Sequence, residues 1–259
     1  MSDTLLFEER GRVGLITLNR PERRNALDLP TLTALDDLLQ NVAGRRDLRA
    51  LVITGAGEKA FCAGADLKER EGLTEAQVRT FLTTIRSAFR RLELLPQAVV
   101  GAANGPALGG GLELLLACDV RLAARGASFG LPETTLAIVP GAGGTQRLPR
   151  VVGLSRALEW ILTGRTVTAE EALAAGLLAR VTEAPDLLPA ALHLAETIAA
   201  NGPVAVTQAK RAVRGGFNLP LEEGLALEGE AYEAVLPTAD RREALAAFRQ
   251  KRRPQYSGE

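Results

Sequence analysis

The chain alternates short apolar runs with segments in which apolar residues recur at helical spacing. ALVITG at positions 50–55 and AVVGAA at 98–103 are continuous apolar runs, as expected of strands buried on both faces. Before the first run, Pro30 begins a predicted helix that Gly44 ends. Its apolar positions are Leu32, Leu35, Leu38, Leu39 and Val42. The alternation predicts an α/β core.

The same pattern predicts the remaining elements. Further strands are predicted at 5–9, 13–18, 120–124 and 177–183, and further helices at 74–95, 112–117, 155–162 and 168–176. From Asp186 onward the sequence is predicted to be helical, with breaks at the glycines and prolines of positions 202–203, 215–216, 220 and 237. The order is one of repeated strand, strand, helix units followed by a helical C-terminal third.

Composition argues against several classes of function. Because 31 Lys and Arg balance 31 Asp and Glu, no overall field attracts the chain to nucleic acid or to an anionic membrane. Aromatic residues make up only 4%, which argues against a base-stacking surface. The one histidine, His193, has no polar partner nearby in its helical segment, so a Ser-His-Asp triad or a histidine-rich metal site is not expected. Acid–base groups, if present, are predicted to be carboxylates.

The cysteines and the apolar runs also bear on location. Cys62 and Cys118 form no CxxC pair, which favours a reducing compartment without disulfides or a metal site. The first residues, MSDTLLFEER, lack the basic and apolar regions of a signal peptide, and no apolar run is long enough to span a bilayer. We therefore expect a cytoplasmic protein.

One stretch, NGPALGGGLELLLACD at positions 104–119, carries the first candidate chemistry. Its glycines, Gly109 to Gly111, lie between a predicted strand and a helix, where they allow positive φ and close backbone approach. The first N–H groups of a helix have no partner within it and can therefore hold an anion, or an oxygen that becomes anionic in a reaction. Glu113, on the first turn, would lie beside such a ligand.

A second carboxylate, Glu133, lies in SFGLPETTLAIVPGAGG among glycines and apolar residues. Two carboxylates in such surroundings could hold one water between them, one acting as base and the other as acid. Each feature also has an ordinary explanation. Glycines before a helix often serve tight packing, a glutamate at a helix start complements the dipole, and a lone glutamate is usually on the surface.

Four motifs together carry a resemblance to a known family. They are FCAGADLKE at 61–69, the glycine-turn stretch at 104–119, FGLPE at 129–133 and PGAGGTQRLPRVVG at 140–153. On these motifs the chain is identified as a member of the crotonase (enoyl-CoA hydratase/isomerase) superfamily over essentially its whole length. FCAGADLKER, ALGGGLEL and the terminal PQYSGE are most similar to the methylglutaconyl-CoA hydratases, also known as AU-rich-RNA-binding proteins.

The resemblance implies an active site. The family's oxyanion hole falls on the backbone N–H groups of Ala65 and Gly110, and its two catalytic glutamates fall on Glu113 and Glu133. Glu113 would activate the water that adds to the β-carbon, and Glu133 would protonate the α-carbon. Isomerases, dehalogenases and decarboxylases of the family usually lack one glutamate, so the pair favours a hydratase of 2-enoyl-CoA esters.

The resemblance also implies the coenzyme A contacts. Lys68 matches the lysine after AGAD, and Lys251 matches a C-terminal lysine supplied by a neighbouring subunit. Glu22 stands where some relatives carry a lysine, which leaves Arg23 or Arg24 to replace it. The expected substrate-binding set is Arg24, Ala63, Asp66, Leu67, Lys68, Tyr232, Phe248 and Lys251. No metal and no separate cofactor are expected, since coenzyme A is part of the substrate.

The fold implied by the resemblance is a spiral of repeated ββα units. Residues 1–200 would form this core with the site, and residues 201–259 would form helices that cover the site and mediate trimerisation. A homotrimer, or a homohexamer of two trimers, is therefore expected, with an acyl-CoA thioester as substrate and a place in fatty acid β-oxidation.

Other functions stay open from sequence alone. The chain could be an enoyl-CoA isomerase or a methylglutaconyl-CoA hydratase. The latter needs a cation in the acyl pocket, for which Arg79, Arg86 or another arginine is a candidate. RNA binding is a remote alternative, motivated by the subgroup and by four arginines of one helix: Arg79, Arg86, Arg90 and Arg91. A catalytically silent scaffold is disfavoured because both glutamates and the glycine turn are present.

Overall fold

The computed structural model describes residues 3–259, apart from the side chains of Leu67 and Arg70. The strands are β1 Leu5–Arg10, β2 Val13–Leu18, β3 Ala50–Gly55, β4 Ala98–Ala103, β5 Ala107–Leu108, β6 Val120–Ala124, β7 Ser128–Gly130, β8 Thr166–Thr168 and β9 Arg180–Thr182. The helices are α1 Leu29–Ala43, α2 Leu67–Arg70, α3 Glu75–Leu94, α4 Gly110–Ala117, α5 Gly144–Val152, α6 Leu154–Thr163, α7 Ala169–Ala174, α8 Ala184–Ala199, α9 Pro203–Gly216, α10 Leu221–Glu233 and α11 Ala239–Gln250. Pro21–Arg23 and Pro132–Leu136 form short 3-10 helices.

Two sheets organise the core. The larger has the order β1-β2-β3-β4-β6-β9 and is parallel except for the antiparallel β1–β2 pair. The smaller joins β5, β7 and β8. Every residue of β3 and β4 is buried, which explains their continuous apolar sequences.

Helices cover both faces of the larger sheet. On one face, α1, α3 and α4 contribute to the main apolar cluster, which includes Leu35, Phe89 and Leu115. On the other face, α8 supplies alanines and Leu187 against residues such as Val52 and Val100 of the sheet. This arrangement confirms the predicted α/β class.

Local signals place several helix ends where the sequence indicates them. Thr74 caps α3 in a reciprocal capping box with Gln77, and Thr168 caps α7 by accepting from the N–H of Glu171. The structure also corrects the sequence-based assignment. Helix α5 was not predicted, because the sequence analysis assigned no element between the glycine-rich stretch that ends at Gly144 and the helix expected from Ser155. The strands β5, β7 and β8 were also not predicted, and each has only two or three residues.

The C-terminal helices lie largely outside the apolar clusters. Helices α9 and α10 pack against each other, and the chain end returns to α11, where the Asp240 carboxylate accepts from the N–H groups of Ser257 and Gly258 at 2.7 and 2.9 Å. Arg49 binds the carbonyl of Tyr256 at 2.7 Å and so ties this end to the core. None of the helices within residues 3–259 combines the length and apolar composition needed to cross a bilayer.

Candidate active site

Two backbone segments meet at the centre of the candidate site. The segment at 62–65 pairs with Leu27 on one side and with Ala107 on the other, through the Leu27–Ala65 and Cys62–Ala107 bridges. Helix α4 begins directly after β5, so its first residue, Gly110, lies beside Ala65. A Cβ built on Gly110 would lie 3.5 Å from the amide nitrogen of Ala65.

Glycine is required for this approach. A Cβ on Gly64 would lie 2.8 Å from the Leu108 carbonyl oxygen, and one on Gly111 would lie 2.1 Å from the Cys62 carbonyl oxygen. Gly64 and Gly109 also have positive φ angles of 92° and 51°. The glycine turn therefore brings the start of α4 into backbone contact with the 62–65 segment.

Glu113 projects from the first turn of α4 into a buried position and is only 2% exposed. Its Oε1 accepts two hydrogen bonds, from the N–H groups of Ala142 and Gly144, each at 2.7 Å. We call residues 141–144 the amide loop. Burial raises the pKa of Glu113 above its ordinary value, while the two amides and the nearby cations Arg147 and Arg86 oppose that rise.

Glu133 reaches the same region from another element. It lies in the 3-10 helix Pro132–Leu136, which Ala137 ends in the left-handed conformation at φ 57°. A Cβ on Gly109 would lie 3.0 Å from Glu133 Oε1, so this carboxylate packs against the glycine turn. The Glu133 carbonyl accepts from the Ile138 N–H at 3.1 Å, which closes the short helix.

A cavity of about 400 Å³ joins these groups. Among the residues predicted from sequence, it is lined by Ala63, Ala65, Gly110, Glu113 and Glu133. Its apolar wall comprises Val78, Phe81, Leu82, Ile85, Leu136, Ile138, Val139 and Pro140. Two carboxylates, the backbone at Ala65 and Gly110 and an apolar wall thus share one space, which suits acid–base chemistry on a carbonyl compound with an apolar tail.

A larger cavity, of about 670 Å³, lies between β1 and α1. Asp37 is the one ionisable side chain among the described residues that line it, and none of the predicted site residues is there. Without a second acid–base group or a set of converging amides, this cavity is a weaker candidate for catalysis.

Other predicted contacts lie beside the cavity rather than in it. The Asp66 carboxylate pairs with Arg20 at 3.1 Å. Burial raises the pKa of Asp66, but Arg20 and the backbone N–H groups of Glu69 and Lys68 together outweigh it, so the pKa is lowered. The Arg24 carbonyl accepts from the Ala63 N–H at 3.0 Å, and Lys68 is exposed in α2. The side chain of Leu67 lies outside the described part of the chain.

Three predicted residues of the C-terminal helices lie away from the cavity within one chain. Tyr232 and Phe248 are 63% and 83% exposed, and Lys251 is exposed at the end of α11. Within a single chain, then, the C-terminal helices do not supply these side chains to the site. Their roles require a neighbouring subunit and stay a prediction.

Sequence reasoning missed two contributors to the site. It left the amide loop without a role, although its PGAGG sequence marks a close backbone approach. It also left Arg79 and Arg86 undecided as cations near the acyl pocket. Arg86 lines the cavity, whereas Arg79 pairs with Glu75 on the exposed face of α3.

Comparison with known proteins identifies the family. The sequence model described as enoyl-CoA hydratase/isomerase matches residues 8–259. The chain belongs to the enoyl-CoA hydratase/isomerase family. This confirms the crotonase superfamily assignment made from the four motifs.

Individual relatives of this family match over most or all of the chain. A putative enoyl-CoA hydratase/isomerase of Bacillus subtilis, YngF, is 53% identical over 100% of both chains. A short-chain-enoyl-CoA hydratase of Clostridium acetobutylicum is 41% identical, covering 97% of this chain and 96% of its own. The human mitochondrial methylglutaconyl-CoA hydratase is 42% identical, covering 98% of this chain and 76% of its own.

The fold is also that of solved family structures. A crystal structure of an enoyl-CoA hydratase from Bacillus anthracis superposes with a TM-score of 0.98 at 50% identity, covering 99% of this chain and 100% of that one. The predicted crotonase-type fold with a helical C-terminal region is therefore confirmed.

The close approach of Gly111 to the Cys62 carbonyl can be tested by substitution. We expect Gly111→Ala to destabilise the protein by roughly 1–3 kcal/mol or more, because the new methyl group would overlap the Cys62 carbonyl and push α4 from the 62–65 segment. Denaturant unfolding measures the change.

Gly126→Ala is the matched control, since a Cβ on Gly126 would meet no atom within 4 Å. Equal unfolding midpoints for the two variants would contradict the close approach described above.

Proposed function

We propose that this protein is an enoyl-CoA hydratase that reversibly adds water to 2-enoyl-CoA thioesters to give 3-hydroxyacyl-CoA. The observation that carries the proposal is the single cavity shared by Glu113, Glu133 and the backbone at Ala65 and Gly110. Membership in the hydratase/isomerase family supports it independently.

The amides of Ala65 and Gly110 would bind the thioester oxygen. Polarising this carbonyl draws electrons from the conjugated double bond and makes the β-carbon electrophilic. As water adds, negative charge develops on the oxygen, and the two N–H groups stabilise it. Such a donor typically contributes about 3–4 kcal/mol to lowering a barrier of this kind.

The two glutamates would divide the proton transfers. Glu113, as carboxylate, takes a proton from water while the water oxygen bonds to the β-carbon. The α-carbon then takes a proton from Glu133, and the electron pair returns from the thioester oxygen. Proton exchange between the glutamates through solvent restores the starting state, so the reaction runs in both directions.

Coenzyme A would bind along the outer side of the 62–66 segment. Arg24 and Lys68 lie at this side and are exposed, as phosphate-binding cations need to be. Asp66 would act indirectly. It pairs with Arg20, which also pairs with Asp28, and these two ion pairs hold the 62–66 segment in place. In this proposal no separate cofactor takes part.

Nucleic-acid binding receives less support. Each of the four arginines on α3 is already engaged: Arg79 with Glu75, Arg86 with the Gly141 carbonyl, Arg90 with Glu93 and Arg91 with Asp36. These contacts would compete with phosphate contacts. A cytoplasmic location and a place in fatty acid β-oxidation stay predictions.

A second candidate is hydration of a carboxylated acyl group, as in the reaction named for the human relative. The observation that favours it is Arg86, the one cation among the residues that line the cavity within the described chain. Its Nε binds the Gly141 carbonyl at 2.5 Å. The guanidinium could pair with a carboxylate through its remaining N–H groups.

The main proposal predicts turnover of crotonyl-CoA, followed by the loss of conjugated enoyl-thioester absorbance. We expect Glu113→Gln and Glu133→Gln to reduce kcat by about 100- to 10,000-fold each, because each removes one proton transfer. Glu159→Gln is the control, because Glu159 is an exposed residue of α6 that pairs with Arg165 and lies outside the cavity. An unchanged kcat in either site variant would remove that residue from the mechanism.

The second candidate predicts a substrate-dependent effect of Arg86→Gln. We expect kcat/KM for methylglutaconyl-CoA to fall about 10-fold or more relative to crotonyl-CoA, because only the former carries a carboxylate to pair with Arg86. Arg79→Gln is the matched control on the same helix. Equal losses for both substrates would leave crotonyl-type esters as the substrate class.

We also propose that the chain assembles into trimers that can pair as hexamers. Exposed apolar side chains on the C-terminal helices support this, among them Phe217, Leu221, Leu225, Leu245 and Phe248. Tyr232, Phe248 and Lys251 would then reach the site of a neighbouring subunit. Light scattering should give three or six times the mass of 27.4 kDa, and a monomer at micromolar concentration would contradict the assembly.

A further inference from the structure

The amide loop is held by its carbonyl groups as well as by its N–H groups. Arg86 Nε donates to the Gly141 carbonyl at 2.5 Å, and Arg147 Nη1 donates to the Ala142 carbonyl at 2.9 Å. The Gly141 carbonyl and the Ala142 N–H belong to one peptide group, which is therefore fixed at both ends, by Arg86 and by Glu113.

Arg147 fixes the peptide group between the two that donate to Glu113. That group joins Ala142 to Gly143, and Gly143 has a φ of 108°, a conformation in which only glycine is unstrained. A Cβ on Gly143 would lie 2.1 Å from Arg147 Nη1, so the guanidinium packs directly on this joint. Holding the joint fixes the direction of the N–H groups on either side.

Glu93 anchors Arg147 from α3. Their Nη2–Oε2 distance is 2.9 Å, and the two side chains are only 16% and 14% exposed. Burial opposes ionisation of Glu93, but hydrogen bonds from Arg147 and Arg90 outweigh it and hold its pKa at about 2. Glu93 is therefore ionised near neutral pH. The forked guanidinium reaches Glu93 with one nitrogen and the loop with another.

We propose that Arg147, anchored by Glu93, is a positioning residue that aims the amide loop at Glu113 and so orients the catalytic base. Arg147 is not among the residues that line the cavity, so it acts through the loop rather than on substrate. The kinetic part of this proposal rests on the proposed hydratase function.

Electrostatics gives the proposal a measurable sign. The cations that act on Glu113 are Arg147 from α5 and Arg86 from α3, and Glu133 is a second titratable group that lines the same cavity. Burial raises the pKa of Glu113, and the amides, Arg147 and Arg86 lower it. Removing Arg147 therefore raises that pKa further. A general base works only when it is ionised. As the solution is acidified, the variant without Arg147 should therefore lose activity at a higher pH than the parent protein does.

The test is the pH profile of kcat for Arg147→Gln. We expect kcat at the optimum pH to fall about 100-fold, because the base is misplaced, while KM stays nearly unchanged. We also expect the acid limb of the profile, the low-pH side on which kcat falls, to move to higher pH. Arg91→Gln is the control. Arg91 lies on α3, as Glu93 does, but its ion pair of 2.7 Å is with Asp36 of α1 and not with the amide loop. If Arg147→Gln has the same kcat as the parent protein and loses activity at the same acidic pH, the proposal is overturned.

A second variant, Arg147→Lys, provides a test if Arg147→Gln fails to fold. Arg147→Lys keeps the charge, but one ammonium group cannot hold the loop and Glu93 in the forked geometry. We expect a lower kcat with an acid limb close to that of the parent. A parent kcat in Arg147→Lys would overturn the positioning role.

Titration of the isotope-labelled Glu113 carboxyl by NMR separates this proposal from the proposed function. A higher Glu113 pKa in Arg147→Gln than in the parent supports the positioning role even if crotonyl-CoA is not turned over. In that case the hydratase proposal fails alone. An equal pKa in the two proteins would overturn the positioning role.

Discussion

The site depends on keeping one buried carboxylate ionised. Moving a carboxylate out of water is costly, and Glu113 lies in an almost wholly apolar helix with only 2% of its surface exposed. Two backbone amides at 2.7 Å compensate for the lost water, and two arginines add positive charge nearby. The balance still leaves the pKa of Glu113 raised, which suits the proton-accepting role proposed for it.

Glycine makes this arrangement possible at the level of the backbone. Without Cβ atoms, the start of α4, the 62–65 segment and the amide loop approach one another closely enough for main-chain groups to do the binding. Main-chain donors are also hard to replace by mutation. The apolar residues of α3 and of the 136–140 segment then complete a cavity that, in the proposed function, holds the acyl part of a thioester.

Much of this was predictable from sequence, for physical reasons. Buried strands such as β3 and β4 have continuous apolar sequences, and caps such as Thr74 are local signals. The motifs placed Ala65, Gly110, Glu113 and Glu133, and the structure brings all four to one cavity. The contacts of Arg147 and Glu93 were not predictable, because 54 residues separate them in the chain. Helix α5 was hidden by the glycines that begin it and by Pro149 within it.

The central claim is that the amides of Ala65 and Gly110 converge on the substrate carbonyl. The most direct measurement is the infrared carbonyl band of a 2-enoyl-CoA, carbon-13-labelled at the thioester, bound to Glu113→Gln so that it is not consumed. Two donors in a water-poor site polarise the carbonyl more than water does, so the band should move to lower frequency on binding. A band at the frequency of the free thioester in water would contradict the account.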